Sequence, residues 1–209
     1  MKTYHSALFV MLFLILVAAS IPVHAQPSLA IGPKVGASFS GFRGDDAGDI
    51  NFRKGLAGGV FVNVSPVKFF SFQPELLLQQ KGAVNENEEF NFREDVKIGY
   101  LNVPMLFKLR LPIDDAFFPH VYVGPQFSYA FKSEYSITML NGTTLTREID
   151  LRNYDLGGVF GFGLDIESNH LFFTTDFRYG LGALNLDEND EAKLKNKDMA
   201  ILLGLGYKF

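Results

Sequence analysis

Two histidines are the first place to look for chemistry in this chain. Imidazole is the side chain whose ordinary pKa suits a general base near neutral pH. His5 and His24 fall in an N-terminal leader, which leaves His120 and His170. Acidic runs come next. Asp187-Glu188-Asn189-Asp190-Glu191 superficially resembles a calcium loop, but Ala192 stands where the turn glycine is needed and the closing Glu is absent. A second cluster holds Glu86, Glu88, Glu89, Glu94 and Asp95. Both read as solvated acidic loops. Gly161-Phe162-Gly163 lies within an alternating stretch and not at a strand-to-helix turn, so it makes no phosphate loop. The chain has no Cys, which removes disulfides and thiolate metal sites. Basic residues are scattered without an aromatic-interleaved patch, so no nucleic-acid partner is expected. No catalytic residue, metal site or cofactor is expected, and the chain reads as a non-enzyme. Asn141-Gly142-Thr143 reads as a loop turn.

The elements that carry these residues follow from the ends and the composition. Lys2 precedes an apolar run from Ala7 to Ala19, Pro22 breaks it, and Val23-His24-Ala25 precedes Gln26. That is the pattern of a cleavable signal peptide over residues 1–25, leaving one domain over 26–209. A helical anchor is the alternative, but the run is shorter than the ~20 residues a spanning helix needs. With 22 Phe, 20 Gly and no Trp, the composition suits a β architecture whose hydrophobicity is hidden by alternation.

Period two recurs along the chain. Ile201, Leu203, Leu205, Tyr207 and Phe209 oppose Ala200, Leu202, Gly204, Gly206 and Lys208. Phe173, Thr175, Phe177 and Tyr179 oppose Thr174, Asp176, Arg178 and Gly180. Six earlier segments, near residues 154–166, 120–131, 101–110, 70–79, 56–64 and 29–39, do the same. Eight strands is an even number, as a closed outer-membrane barrel requires. Three short connections (65–68, 112–116, 167–170) alternate with four longer polar ones (42–52, 83–95, 133–153, 183–197). Short turns then face the periplasm and long loops the exterior. Each short turn leads into a Phe pair, Phe69-Phe70, Phe117-Phe118 or Phe172-Phe173, expected to form an aromatic girdle.

Alternation alone also fits a soluble lipocalin-like barrel, which is the same object turned inside out. Residue size separates the two. The polar face also carries the glycines, and a narrow eight-stranded lumen takes small residues on its concave side. The bulky apolar face therefore points to lipid. The fold class expected is all-β, an eight-stranded antiparallel up-and-down transmembrane β-barrel behind a signal peptide. Its lumen is expected to hold Lys34, Glu75, Lys108, Arg110, Asp155, Asp165, Asp176 and Arg178 as a charge-balanced structural network that plugs it. His120 and His170 fall near the periplasmic ends of strands. Outer-membrane barrel proteases and acyltransferases resemble one another in placing catalytic groups toward the outer rim, where neither histidine is expected.

Gln73-Pro74-Glu75-Leu76-Leu77, Gln80-Lys81-Gly82, Tyr100-Leu101-Asn102-Val103-Pro104, Gly124-Pro125 and Arg178-Tyr179-Gly180-Leu181 occur in that order. Together they resemble the PorT-like outer-membrane β-barrel family common in Bacteroidetes. The resemblance spans nearly all of residues 26–209. It implies the fold and the outer membrane, and little about activity. Its namesake branch is linked to type IX secretion and gliding, but no motif here separates that branch from its relatives. Tyr207-Lys208-Phe209 is similar to the aromatic end read by the barrel-assembly machinery, with Tyr207 and Phe209 as the signal. Partners expected are outer-membrane lipid, lipopolysaccharide (bridged by divalent cations at the acidic loops), the assembly machinery, and envelope or secretion-complex proteins. Three roles stay open: a scaffold presenting loops for binding or envelope integrity, a secretion component, and a small-solute channel. The longest loop, 133–153, is the expected contact surface.

Overall fold

A computed structural model describes residues 27–44, 51–87, 92–139, 143–149, 151–187 and 193–209. The segment expected to be a signal peptide and the acidic residues 188–191 lie outside the described residues. The chain folds into β1 (Ser28–Arg43), β2 (Asn51–Val67), β3 (Phe70–Asn87), β4 (Phe92–Arg110), β5 (Phe117–Thr138), β6 (Thr144–Glu148), β7 (Tyr154–Glu167), β8 (Leu171–Gly182) and β9 (Lys195–Lys208). All pairings are antiparallel. β1 pairs with both β2 and β9, and β4 pairs with β5, so every strand but β6 belongs to one closed ring of eight. Closure matters physically: in hydrocarbon every backbone N–H and C=O needs a partner, and a ring has no open edge.

The alternation read from sequence is the inside–outside alternation of this ring. Val35, Leu56, Val123, Phe162 and Leu205 are each at least half exposed on the outer wall. Lys34, Asn63, Gln73, Lys108, Asp165 and Asp176 are buried inside. The small-inside rule is sharpened by the structure. Glycines on the inner face make room for bulky side chains from nearby strands. A Cβ on Gly204 would come within 2.9 Å of the Phe61 ring, and one on Gly161 within 2.7 Å of the Tyr122 ring. Interior layers then stack. Ala30, Phe61 and Phe172 pack near the periplasmic end, and Ala57, Leu77, Ala200 and Leu202 pack at mid-height.

Three expectations are corrected. The loop expected over 83–95 is mostly strand: β3 continues to Asn87 and β4 begins at Phe92. The loop over 133–153 is in large part a β-hairpin, in which β5 runs on to Thr138 and pairs with β6. Polar residues stay extended here because backbone pairing, not lipid, decides the structure once the strands leave the membrane. Finally, the Phe pairs are not a simple girdle. Phe69 and Phe117 are exposed, while Phe118 and Phe172 are buried inside. Adjacent strand residues cannot share a face.

Candidate functional site

The lumen is where this chain concentrates its polar side chains. Lys34 of β1 donates to Glu75 of β3 at 2.7 Å and also bonds Asp176 of β8. Arg178 reaches Glu75 at 2.8 Å and Asp176 at 3.5 Å. Lys108 of β4 meets Asp165 of β7 at 3.2 Å. Arg110 lies 3.2 Å from Asp165 and also pairs with Glu167. Seven of the eight expected residues thus form one connected cluster. Asp155 does not join it. It accepts from Asn196 at 2.9 Å and from the Leu184 backbone N–H at 3.2 Å, nearer the exterior.

Several members of this polar interior were legible but left out. His120 has Nε2 at 3.1 Å from Asp176 and Nδ1 at 3.4 Å from Asp165. It shares the inward parity of Tyr122, Gln126 and Ser128. Glu167 extends the inward series of Asp155 and Asp165, and it also binds Lys208. Lys81 and Asp198 pair at 2.6 Å in a second, outer layer, where Gln79 donates to Asp198 and Asn102 donates to Gln79. His120, Gln79 and Asn102 lie on the polar face of expected segments, and extending the inward parity past the expected ends finds Glu167, Lys81 and Asp198.

Above the outer layer the lumen closes with apolar groups. Phe42, Ala83, Ile98, Tyr100, Ala130 and Leu186 form a buried cluster, with Leu151 and Leu194 packed on it. Leu186 and Leu151 come from connecting segments. They are pinned by Arg152 N–H to Leu186 O and Leu186 N–H to Leu194 O, both 2.8 Å. Chemically the arrangement is a set of mutually paired charges under a lid. The side chains of Lys34, Lys108, His120, Asp165 and Asp176 have no solvent exposure. His170 sits elsewhere, on the outer face, its ring stacked on Tyr207 at 5.5 Å. Among the described residues no group of His, Asp or Glu is placed to hold a metal ion.

At the periplasmic mouth Lys68 donates to Asp115 at 2.8 Å, fully in solvent. The hydrogen bond from Lys68, then its charge, holds the Asp115 carboxyl below its ordinary pKa, and the same contact raises Lys68. Tyr207 and Phe209 both face outward, edge to face at 5.0 Å.

A closed ring with a lipid-facing wall and a filled lumen has a clear counterpart in sequence. The model of the outer membrane protein beta-barrel domain family matches residues 24–185. The chain belongs to this family. Its location is therefore the outer membrane. Among solved structures this barrel is similar to the outer membrane protein OprG from Pseudomonas aeruginosa. That likeness has a TM-score of 0.53 and 15% identity, over 91% of this chain and 99% of that one. Neisserial surface protein A aligns at a TM-score of 0.47 and 11% identity, over 84% and 97%. Ail, the attachment invasion locus protein of Yersinia pestis, solved with the heparin analogue sucrose octasulfate, aligns at 0.42 and 14%, over 87% and 99%. No curated protein matches the chain in sequence.

Proposed function

We propose that this outer-membrane barrel is a non-enzymatic, plugged scaffold whose extracellular strands and loops serve binding or envelope integrity. The observation that carries the reading is double closure of the lumen. Buried ion pairs fill its middle, and an apolar lid that includes Leu186 covers its exterior end. This favours a scaffold over a solute channel, because a permeating solute would have to break both layers. It also argues against catalysis, since the lumen histidine is sealed. The extracellular β5–β6 hairpin is the most exposed platform for contacts.

The test has two arms. Purified barrel in planar bilayers should be electrically silent, and steady unitary conductance would reinstate the channel. In cells, replacing residues 139–149 with a short Gly-Ser turn should preserve the heat-modifiable gel shift of a closed barrel while causing an envelope-stress phenotype. A wild-type response under every stress would sink the scaffold role.

A second reading rests on the PorT-like motifs, which place Glu75 and Arg178 at the centre of the lumen cluster. On that reading the barrel is a component of a type IX secretion or gliding apparatus. Co-purification of stoichiometric partners from native membranes supports it, and recovery as a lone monomer counts against it. Outward-facing Tyr207 and Phe209 suit recognition by the assembly machinery.

A further inference from the structure

The outer wall changes character abruptly where it leaves the membrane on β9, β1 and β2. On β9 the outward series Met199, Ile201, Leu203, Leu205 and Tyr207 is apolar and exposed, and the next outward position is Lys197. Eight residue steps at ~3.3 Å, tilted by ~40°, make a band of about 20 Å along the membrane normal, close to the ~25 Å of an outer-membrane barrel. On β2 the exposed Val60 and Leu56 are followed outward by Lys54, with the half-exposed Phe52 beyond it. β1 lies between these two strands, with Phe39 opposite both Lys54 and Met199.

The cations at this edge share a built environment. Gly41 of β1 faces Lys197 and has no side chain, so the Phe52 ring crosses it and lies 5.4 Å from Lys197 Nζ. A bulge in β2 between Phe52 and Ala57 brings consecutive residues Arg53 and Lys54 to one recess. The recess, of about 510 Å³, is also lined by Asn51, Phe52, Arg93 and Asp95. Arg53 donates to Asp95 at 2.8 Å, which offsets its charge within the recess. Among the described residues no carboxylate pairs with Lys54 or Lys197. Elsewhere on the extracellular extension Lys132 is neutralised by Glu134 at 2.8 Å. The positive excess is therefore local and sits at head-group height.

We infer that this rim recess, with Lys54 in its wall and Lys197 on Phe52 beside it, binds the phosphate of an outer-leaflet lipid head group. Flexible Lys side chains one step above the apolar band can follow a phosphate while their stems stay against lipid. The apolar wall below supplies what a free ion does not use, which is contact with acyl chains. The site is independent of what the extracellular hairpin binds.

The test uses the full barrel in nonionic detergent and native mass spectrometry. The probes are bis-phosphorylated lipid A, the same lipid dephosphorylated, and inorganic phosphate as competitor. Phosphorylated lipid A should form a stoichiometric adduct. The Lys54→Gln/Lys197→Gln double variant should bind it on the order of thirtyfold more weakly, from about fivefold per cation near a lipid surface. Lys68→Gln, at the periplasmic turn, should bind as the parent does. Both side chains point away from the lumen, and the heat-modifiable gel shift verifies that each variant is folded. Equal binding by the double variant, or by dephosphorylated lipid A, overturns the site. Displacement of the lipid by millimolar inorganic phosphate overturns the lipid as its occupant.

Discussion

Lys34 of β1 and Glu75 of β3 meet at 2.7 Å with neither side chain exposed, and Lys34 also bonds Asp176 of β8. One ammonium thus ties strands from distant parts of the ring. Its value is clearest when one partner is removed. Lys34→Met strips a cation from two buried carboxylates and leaves Arg178 as their remaining shared partner. Breaking a buried pair on one side costs about 3–5 kcal/mol. The temperature at which the folded gel band converts to the unfolded one should fall clearly for Lys34→Met and far less for Lys34→Arg. A parent-like transition in Lys34→Met would show that the cluster is not what holds the lumen together.

Phe61 of β2 and Gly204 of β9 form a size-matched pair over β1 on the inner wall. A Cβ at residue 204 would meet Phe61 at 2.9 Å and the Thr174 methyl at 2.8 Å. Gly204→Val should therefore lose folded barrel, by overpacking of about 1–3 kcal/mol. Adding Phe61→Ala should recover part of that loss, since the added carbons then enter the space the ring vacates. Strictly additive effects in the four-protein cycle would mean the two sites are uncoupled.

Much of this architecture is legible in the sequence, because a barrel wall separates lipid from lumen at every residue. Lys34, Asp165 and Asp176 were placed by parity alone, and each is buried among partners. What parity does not give is height. Asp155 shares the inward parity of Asp165 but sits in another layer, beside Asn196. Parity also gives no strand ends once strands leave the bilayer. Asn85 and Glu94 pair in register well outside the apolar band, held by backbone bonds that ask nothing of hydrophobicity. The rim recess is not legible in the alternation for a related reason. Arg53 and Lys54, consecutive in sequence, both line it beside a bulge in β2.

The Lys68–Asp115 contact has a definite pH window and little weight. Asp115 is depressed in the folded state, so its contribution is present above its ordinary value of 3.8 and lost as pH falls through the lowered one. Lys68 is raised, so its contribution is present below 10.5 and lost as pH rises through the raised value. The contact is intact between those limits. Both groups are fully in solvent, where screening removes most of the benefit. Asp115→Asn should leave the unfolding transition unmoved at neutral pH. In a carboxyl NMR titration, Lys68→Gln should move the Asp115 midpoint upward, and an unmoved midpoint would show that Lys68 is not its partner.

The β5–β6 hairpin allows a sharper test, because its hydrogen-bond phase can be assigned. Met139 N–H donates to Thr143 O at 2.9 Å and Ile149 N–H to Ser133 O at 3.2 Å. Antiparallel pairs alternate between bonded and non-bonded, so with this register Arg147 opposite Tyr135 is a bonded pair and Thr146 opposite Ser136 is not. The N–H of Thr146 therefore points away from β5, toward the free edge of β6, while that of Arg147 points into the hairpin. Proline removes one N–H and fixes φ, so its effect depends on which side that N–H faced. Arg147→Pro should open the hairpin, and proteinase K should nick residues 139–149 about tenfold faster or more, cleavage following the population of the open form. Thr146→Pro should be nicked at nearly the parental rate, because the ladder to β5 loses nothing. Arg147 also stacks over the Tyr135 ring at 5.2 Å, so Arg147→Gln is needed to separate the side chain from the backbone. If both proline variants are nicked equally fast, the hairpin is held by side chains and not by its ladder. If only Arg147→Pro opens, the backbone groups of Thr144, Thr146 and Glu148 are a free edge on a stable platform, the form in which an extended partner strand could add to it.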